Sequence, residues 1–477
     1  MARRSAWSDL DDAAAARRPS RSPDICIIGA GAAGITVAKA LHERGLDFDC
    51  FEKGSDLGGL WRYQNDNGLS SAYANLHINT SRHRLGYSDF PIPETLPDFL
   101  SHRQVLAYLE SYADAFGIRP LINFRTTVDS VTKGSNGGWR VHLWGGGVRH
   151  YRAVIVASGH LWNPRLPAFP GLFFGDTTHS HHYRTAQPYV GKKVLVVGMG
   201  NSAIDIAVDL CRRAAGVTLS TRRGAWITPK YLMGKPTDEW AALLSGRMGL
   251  PGWLTRTALA PLIRLAAGDQ RRFGLQRPAH PIWREHPTVS QELLPCLGHG
   301  LISVKPNVRL LDGTEVEFDD GSRQAFDSIV YATGYRTSFP FLAKPLFDPE
   351  ADTGSLYRQM ASPKHRGLMF AGLVEPVGPT MPVVEAQGRW LAAALAGDIT
   401  LPDPETQVRE AAARRKHQRA TYLDSERYAL AVDDHAYLRQ LHDDMHHREG
   451  RRRHFGELAT TAIATLNAWR LRSLSAR

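Results

Sequence analysis

The chain has 477 residues, 43% of them hydrophobic and 22% charged, which is the composition of an ordinary folded globular protein and excludes a disordered or fibrous one. Its 58 Lys and Arg against 47 Asp and Glu leave a net charge of +11, yet no basic and aromatic interleaving marks a nucleic-acid surface, and much of the excess sits in polar ends. No run approaches the about 20 apolar residues a bilayer span needs; Leu250 to Gly268 comes nearest and is broken by Arg256 and Arg264.

In chain order, residues 1–21 read as a disordered basic tail with no apolar core of a signal peptide. Next, Ile25-Cys26-Ile27-Ile28 predicts a buried strand, Gly29-Ala30-Gly31-Ala32-Ala33-Gly34 a tight turn, and Ile35 to Leu41 a helix; a second strand follows, ending in Glu52 with Lys53 beside it. In such a turn the first glycine permits the bend, the second lets backbone approach a pyrophosphate, and the third packs helix on strand, while the helix N-terminus offers unpaired N–H groups to phosphate. The acid that ends the second strand accepts hydrogen bonds from ribose hydroxyls.

The pattern returns at Gly198-Met199-Gly200-Asn201-Ser202-Ala203 after Val194 to Val197, with Asp205 one turn into the helix. Its downstream strand, Val217 to Ser220, ends in Thr221-Arg222-Arg223, where cations would welcome a 2'-phosphate. The first copy therefore suits FAD and the second NADPH.

The strands Ala153 to Val156 and Ser328 to Tyr331 each run into Ala, a hydroxyl residue and Gly, and they bracket the second fingerprint. The expected fold is α/β, with two Rossmann-like dinucleotide-binding domains, the NADPH domain inserted into the FAD domain. Expected limits are 22–164 and 331–403 for FAD, 165–330 for NADPH with a helical insert at about 230–297, and a helical extension over 404–477 whose Leu458 to Leu471 reads as amphipathic. The four cysteines are far apart in sequence and form no disulfide or metal pattern, which suits a reducing cytoplasm.

Further motifs resemble one family. Phe173-Phe174-Gly175-Asp176-Thr177-Thr178-His179-Ser180-His181-His182-Tyr183-Arg184 is similar to the FxGxxxH-xxx-[YF]-[KR] signature of flavin-containing monooxygenases. Phe51-Glu52-Lys53, Gly58-Gly59-Leu60-Trp61, Asn75 to Arg82, Tyr87 to Pro91 and Ala332-Thr333-Gly334-Tyr335 stand beside it in family order. The resemblance implies an enzyme in which NADPH reduces FAD, molecular oxygen forms a C4a-(hydro)peroxyflavin, and a soft nitrogen or sulfur of a small organic substrate takes the distal oxygen.

It further implies that Asn79 is the active-site asparagine and that Gly59, Leu60, Trp61 and Ile78 lie near the cofactors, with Gln387 within reach of them. On residue type alone, an Asn also serves turns, a Leu-Trp pair also serves a core, and a helix-face Gln is also simply solvated. Baeyer-Villiger monooxygenases resemble this pattern but usually carry Trp-Pro where Tyr183-Arg184 stands, so ketone oxygenation is the alternative, and a non-catalytic or uncoupled NADPH-oxidising flavoprotein a second. The membrane anchor of mammalian members is not carried over to the Arg472 to Arg477 end, and a homodimer stays open.

Overall fold

Ile25-Cys26-Ile27-Ile28 is buried on both faces, as a central strand of a covered parallel sheet must be. In the computed structural model, which describes residues 23–446 apart from 136, 248–251, 286 and 423–428, it lies at the centre of five parallel strands. Their order is Leu368–Phe370, Ala153–Val156, Ile25–Ile28, Phe48–Phe51 and Ile122–Asn123. The basic tail at 1–21 and the amphipathic stretch at 458–471 lie outside the described residues.

The period-two alternation of a strand sorts its side chains into two cores. Ile25 and Ile27 face the helices Ala32–Glu43, His102–Ala115 and Thr380–Ala396, while Cys26 and Ile28 face the antiparallel meander of Val128–Lys133, Trp139–Leu143 and Val148–Tyr151.

A second parallel sheet repeats the plan, in the order Asp176–His179, Ser328–Tyr331, Lys193–Val197, Gly216–Ser220 and Ile302–Lys305. Val194 and Val196 pack toward the helix Asn201–Leu210, and Leu195 and Val197 toward Val308, Val316 and Phe318 of a four-stranded sheet on the other face. The chain leaves the first unit and returns to it side by side: Tyr335 pairs with Pro164 and Arg336 with Asn163, and the Thr333 hydroxyl donates to the Arg165 carbonyl at 2.5 Å.

Between Ile227 and Gly298 the second unit carries the helices Thr237–Ala242, Gly252–Ala267 and Leu293–Gly298, with a small apolar core of Leu259, Ile263 and Ile282. After Pro404, the helices Pro404–Thr421 and Asp434–His446 pack back on the first unit, and Ala431–Val432 pairs with Glu375–Pro376. Among the described residues no helix is long and apolar enough to cross a membrane.

Candidate active site

Both fingerprint turns are shaped by steric necessity. Gly29 has φ +104°, and a Cβ there would lie 2.7 Å from the Ala157 carbonyl oxygen; one at Gly34 would collide with the Gly29 carbonyl oxygen. Gly31 is different: a Cβ there finds only the Gly59 Cα, at 3.7 Å, so Gly31 and Gly59 face each other across a groove that two side chains would fill. Gly31 is the N-cap of the helix Ala32–Glu43 and makes no side-chain cap bond, which leaves first-turn N–H groups to a ligand. The residues thus fit a pyrophosphate, and with it FAD.

Glu52 is only 4% exposed. Its Oε2 accepts from the Ala30 N–H at 2.8 Å, and its Oε1 from the Gly54 N–H at 2.8 Å and Asn67 Nδ2 at 3.1 Å. A carboxylate offers about four acceptor positions, so three protein donors leave room for one ribose hydroxyl. Lys53 points to solvent, Ala33 touches the turn at Gly372, and the Ala32 carbonyl accepts from the Tyr87 hydroxyl at 2.9 Å. Gly59, Leu60 and Trp61 form a short 3-10 turn docked on the fingerprint through the Gly58 N–H, which donates to the Ala30 carbonyl at 3.0 Å.

At the second turn Gly198 has φ +135° and sits against the Ala332 carbonyl, Gly200 has open space where a Cβ would be, and Ala203 is fully buried with Ser202 beside it. Asn201 is occupied by the helical insert, its Oδ1 accepting from the Val289 N–H at 2.9 Å. Asp205 accepts from the Tyr73 hydroxyl at 2.6 Å, and burial pushes its carboxyl above the usual carboxylate range. Thr221 is buried, with its hydroxyl on the Arg223 carbonyl at 2.5 Å, and Arg223 reaches Glu285 at 3.5 Å. Arg222 is exposed and forms no ion pair with the described residues. A cavity of 390 Å³, lined by Trp226, Arg264, Arg277 and His280 among others, opens in the insert a few residues beyond this strand end.

The segment Ser70 to Ser81 runs along the seam between the units. Tyr73 and Asn75 bond Asp205 and Asp209 of the second fingerprint's helix, at 2.6 and 2.5 Å, while the Ile78 N–H donates to the Leu100 carbonyl of the first unit at 2.9 Å. Asn79 stands in this segment, and its Oδ1 is buried with no hydrogen-bond partner among the described residues. An orphaned buried acceptor is costly unless a ligand pairs it, so the site fits a bound cofactor or substrate donor here.

The His179 to Arg184 signature proves to be the fastening of this seam. The Tyr183 hydroxyl donates to Asp209 at 2.5 Å, Arg184 donates to the carbonyls of His181 and Ser70 at 2.7 and 3.0 Å, and the Arg184 carbonyl accepts from the Ala74 N–H at 2.9 Å. His179 accepts at Nδ1 from the His181 N–H at 3.1 Å, and burial, assisted by His181, pushes its pKa down to about 4, so it stays neutral at physiological pH.

Gln387 is fully buried, not on an open helix face. Its Oε1 accepts from the Gly372 N–H at 2.8 Å and its Nε2 donates to the Tyr437 hydroxyl at 2.9 Å, so both ends join the helix Thr380–Ala396 to its surroundings. Sequence reasoning missed Tyr73, Asp209 and Asn67, for which no spacing signal exists. It also missed that Cys211 and Cys296 meet at 3.8 Å between sulfurs, inside the second unit; burial pushes the Cys211 thiol up to about 12, which makes it unreactive.

Residues 22–449 match the family model for flavin-binding monooxygenase-like proteins. Flavin-containing monooxygenase 5 of Rattus norvegicus is 37% identical over 86% of this chain and 80% of its own length, and dimethylaniline monooxygenase [N-oxide-forming] 2 of the same species is 35% identical over 87% and 81%. Among solved structures, S-allyl-L-cysteine S-oxygenase from Allium sativum superposes with a TM-score of 0.67 at 25% identity, covering 90% of each chain. With the two fingerprint turns and the seam in place, these likenesses establish that the chain belongs to the flavin-containing monooxygenase family and is a flavin-dependent monooxygenase with FAD and NADPH as cofactors.

Proposed function

We propose that the enzyme oxygenates a soft nitrogen or sulfur atom of a small organic substrate, with molecular oxygen as co-substrate, in the seam beside Asn79. Bound FAD supplies the electron exchange with NADPH and the activation of oxygen. Gly29, Ala30, Gly31, Ala32, Ala33 and Gly34 would hold its pyrophosphate, Glu52 its adenosine ribose, and Gly59, Leu60 and Trp61 the flavin side.

For NADPH, Gly198, Gly200, Ser202 and Ala203 would face the pyrophosphate, and Arg222, flanked by Thr221 and Arg223, the 2'-phosphate. Asn201 and Asp205 fix the turn and helix that present these groups, and Gln387 braces Gly372 against Ala33. Ile78 and Asn79 would border the reacting region.

The observation that carries this reading is the buried and uncharged acceptor of Asn79, without a partner among the described residues, on a strap tied to both units. A carboxamide orients a polar ligand without imposing charge on the oxygen species next to it. Two named relatives, an N-oxide-forming enzyme and an S-oxygenase, act on nitrogen and sulfur, and Tyr183-Arg184 stands where ketone-oxygenating enzymes usually have Trp-Pro. Four buried free thiols suit a cytoplasmic setting.

The test is a product screen with NADPH, oxygen and a tertiary amine, a thioether and a cyclic ketone. N-oxide or sulfoxide is expected; lactone from the ketone, with neither of the others, would overturn the proposal.

A further inference from the structure

The helical insert of the second unit reaches back to the loop that carries Asn79, and it does so with two adjacent acids in the first turn of Thr237–Ala242. Asp238 Oδ2 accepts from the Ser81 N–H at 2.8 Å, and Glu239 Oε1 meets His83 Nδ1 at 2.6 Å. Arg84 closes the junction: it donates to the Asp238 carbonyl at 3.2 Å and to Asp434 Oδ2, from the C-terminal extension, at 3.1 Å. Two segments far apart in sequence, the insert and the C-terminal extension, therefore converge on residues 81–84.

Ser81 precedes the short helix Arg82–Leu85 and its carbonyl accepts from the Arg84 and Leu85 N–H groups at 3.0 Å, while its own N–H, on the peptide that joins it to Thr80, is held from outside by Asp238. Only Thr80 separates it from Asn79. A rotation of the Ser81 peptide plane would be passed along the chain to the Asn79 carboxamide. The cost of the arrangement is visible. Asp238 Oδ1 is buried without a hydrogen-bond partner among the described residues, and desolvation raises the Asp238 carboxyl, partly offset by the backbone and side chain of Ser81 and by Arg84. A carboxyl perturbed by burial together with specific partners is a candidate for a functional role.

We propose that Asp238 is a positioning residue: by accepting the Ser81 N–H it fixes the loop that aims Asn79, and it makes that aim conditional on the NADPH-unit insert being docked. This rests on the reading of Asn79 given above. The contact lies between insert and loop, so withdrawal of the insert would release Ser81, and oxygen chemistry would lose its aligned carboxamide whenever the second unit is displaced.

The experiment uses the FAD-loaded enzyme and two readouts, amide hydrogen exchange in the peptide spanning 76–86 and the fraction of NADPH oxidation that ends as hydrogen peroxide. Asp238→Ala is expected to speed exchange in that peptide about tenfold, the effect of one lost buried hydrogen bond, and to raise the peroxide fraction. Asp238→Asn keeps an acceptor oxygen and is expected to restore both, with FAD content unchanged.

Should Asp238→Ala fold poorly, Ser81→Pro removes the same N–H from the other side. Its φ of −66° already suits proline, and the same two changes are expected. Unchanged exchange in Asp238→Ala, or an Asn variant as defective as the Ala one, would overturn the positioning role. An Asn79→Ala enzyme that stays fully coupled would instead overturn the reading of Asn79 itself, and the exchange data would tell the two failures apart.

Discussion

The two nucleotide units share a turn and differ in what ends the second strand. In the first, Glu52 is buried and faces inward, holding the Ala30 and Gly54 N–H groups and Asn67 as it would hold a ribose. In the second, Arg222 and Arg223 stand in solvent. A cofactor gripped by a desolvated carboxylate in a tight groove exchanges slowly, whereas one met by exposed guanidinium groups is recruited by charge and released readily. With FAD in the first unit and NADPH in the second, as proposed, the contrast would separate a resident FAD from a visiting NADPH.

The sharpest way to break that contrast is at the third fingerprint position, where one unit has Gly34 and the other Ala203. A methyl at Gly34 would collide with the Gly29 carbonyl oxygen, so Gly34→Ala should lower the flavin-to-protein ratio about tenfold or more, as overpacking of a fixed turn requires. The reverse change in the second unit, Ala203→Gly, should cost only about 1 kcal/mol in thermal unfolding, because it merely loosens a helix.

Next in size, Arg222→Ala should raise KM for NADPH about 10- to 100-fold, the worth of a charge-assisted phosphate contact, with kcat and FAD content held. Arg223→Ala should do less, since that side chain already has Glu285. An equal effect of both on FAD content would erase the distinction between the units.

A further modest effect concerns the seam. Tyr73→Phe leaves the buried Asp205 without its donor and should cost about 1 to 2 kcal/mol of stability, recovered in part by adding Asp205→Asn. The sign of the pH dependence is fixed by the direction of the Asp205 shift. Its carboxyl is raised in the folded state, so its contribution to stability declines as pH rises from the unfolded carboxylate range through the raised value. Melting curves of Asp205→Asn over the same range should lack that decline.

The parts of the molecule written in local patterns were readable beforehand. Apolar runs such as Ile25 to Ile28 and Val194 to Val197, closed by glycine turns, announce two α/β units, because strand, turn and helix N-terminus are consecutive in the chain. Asn79 and the His179 to Arg184 signature were legible only through family likeness; nothing in their spacing says that Tyr183 and Arg184 fasten Asp209 and Ser70. The remaining partners were hidden because they are products of topology. Asp238 is 157 positions from Ser81 and Tyr73 is 132 from Asp205, and no periodicity links such distant residues. Gln387 shows the same limit: helical spacing alone does not reveal that Gly372 and Tyr437 close over both ends of its carboxamide.

The division of labour between the units is tested most directly by anaerobic titration of the purified, FAD-loaded enzyme with NADPH while the visible absorbance of oxidised flavin is followed. The expected result is complete bleaching by about one equivalent, since each nicotinamide delivers two electrons to one flavin. Protein that retains FAD but keeps its full oxidised spectrum under excess NADPH would contradict the account.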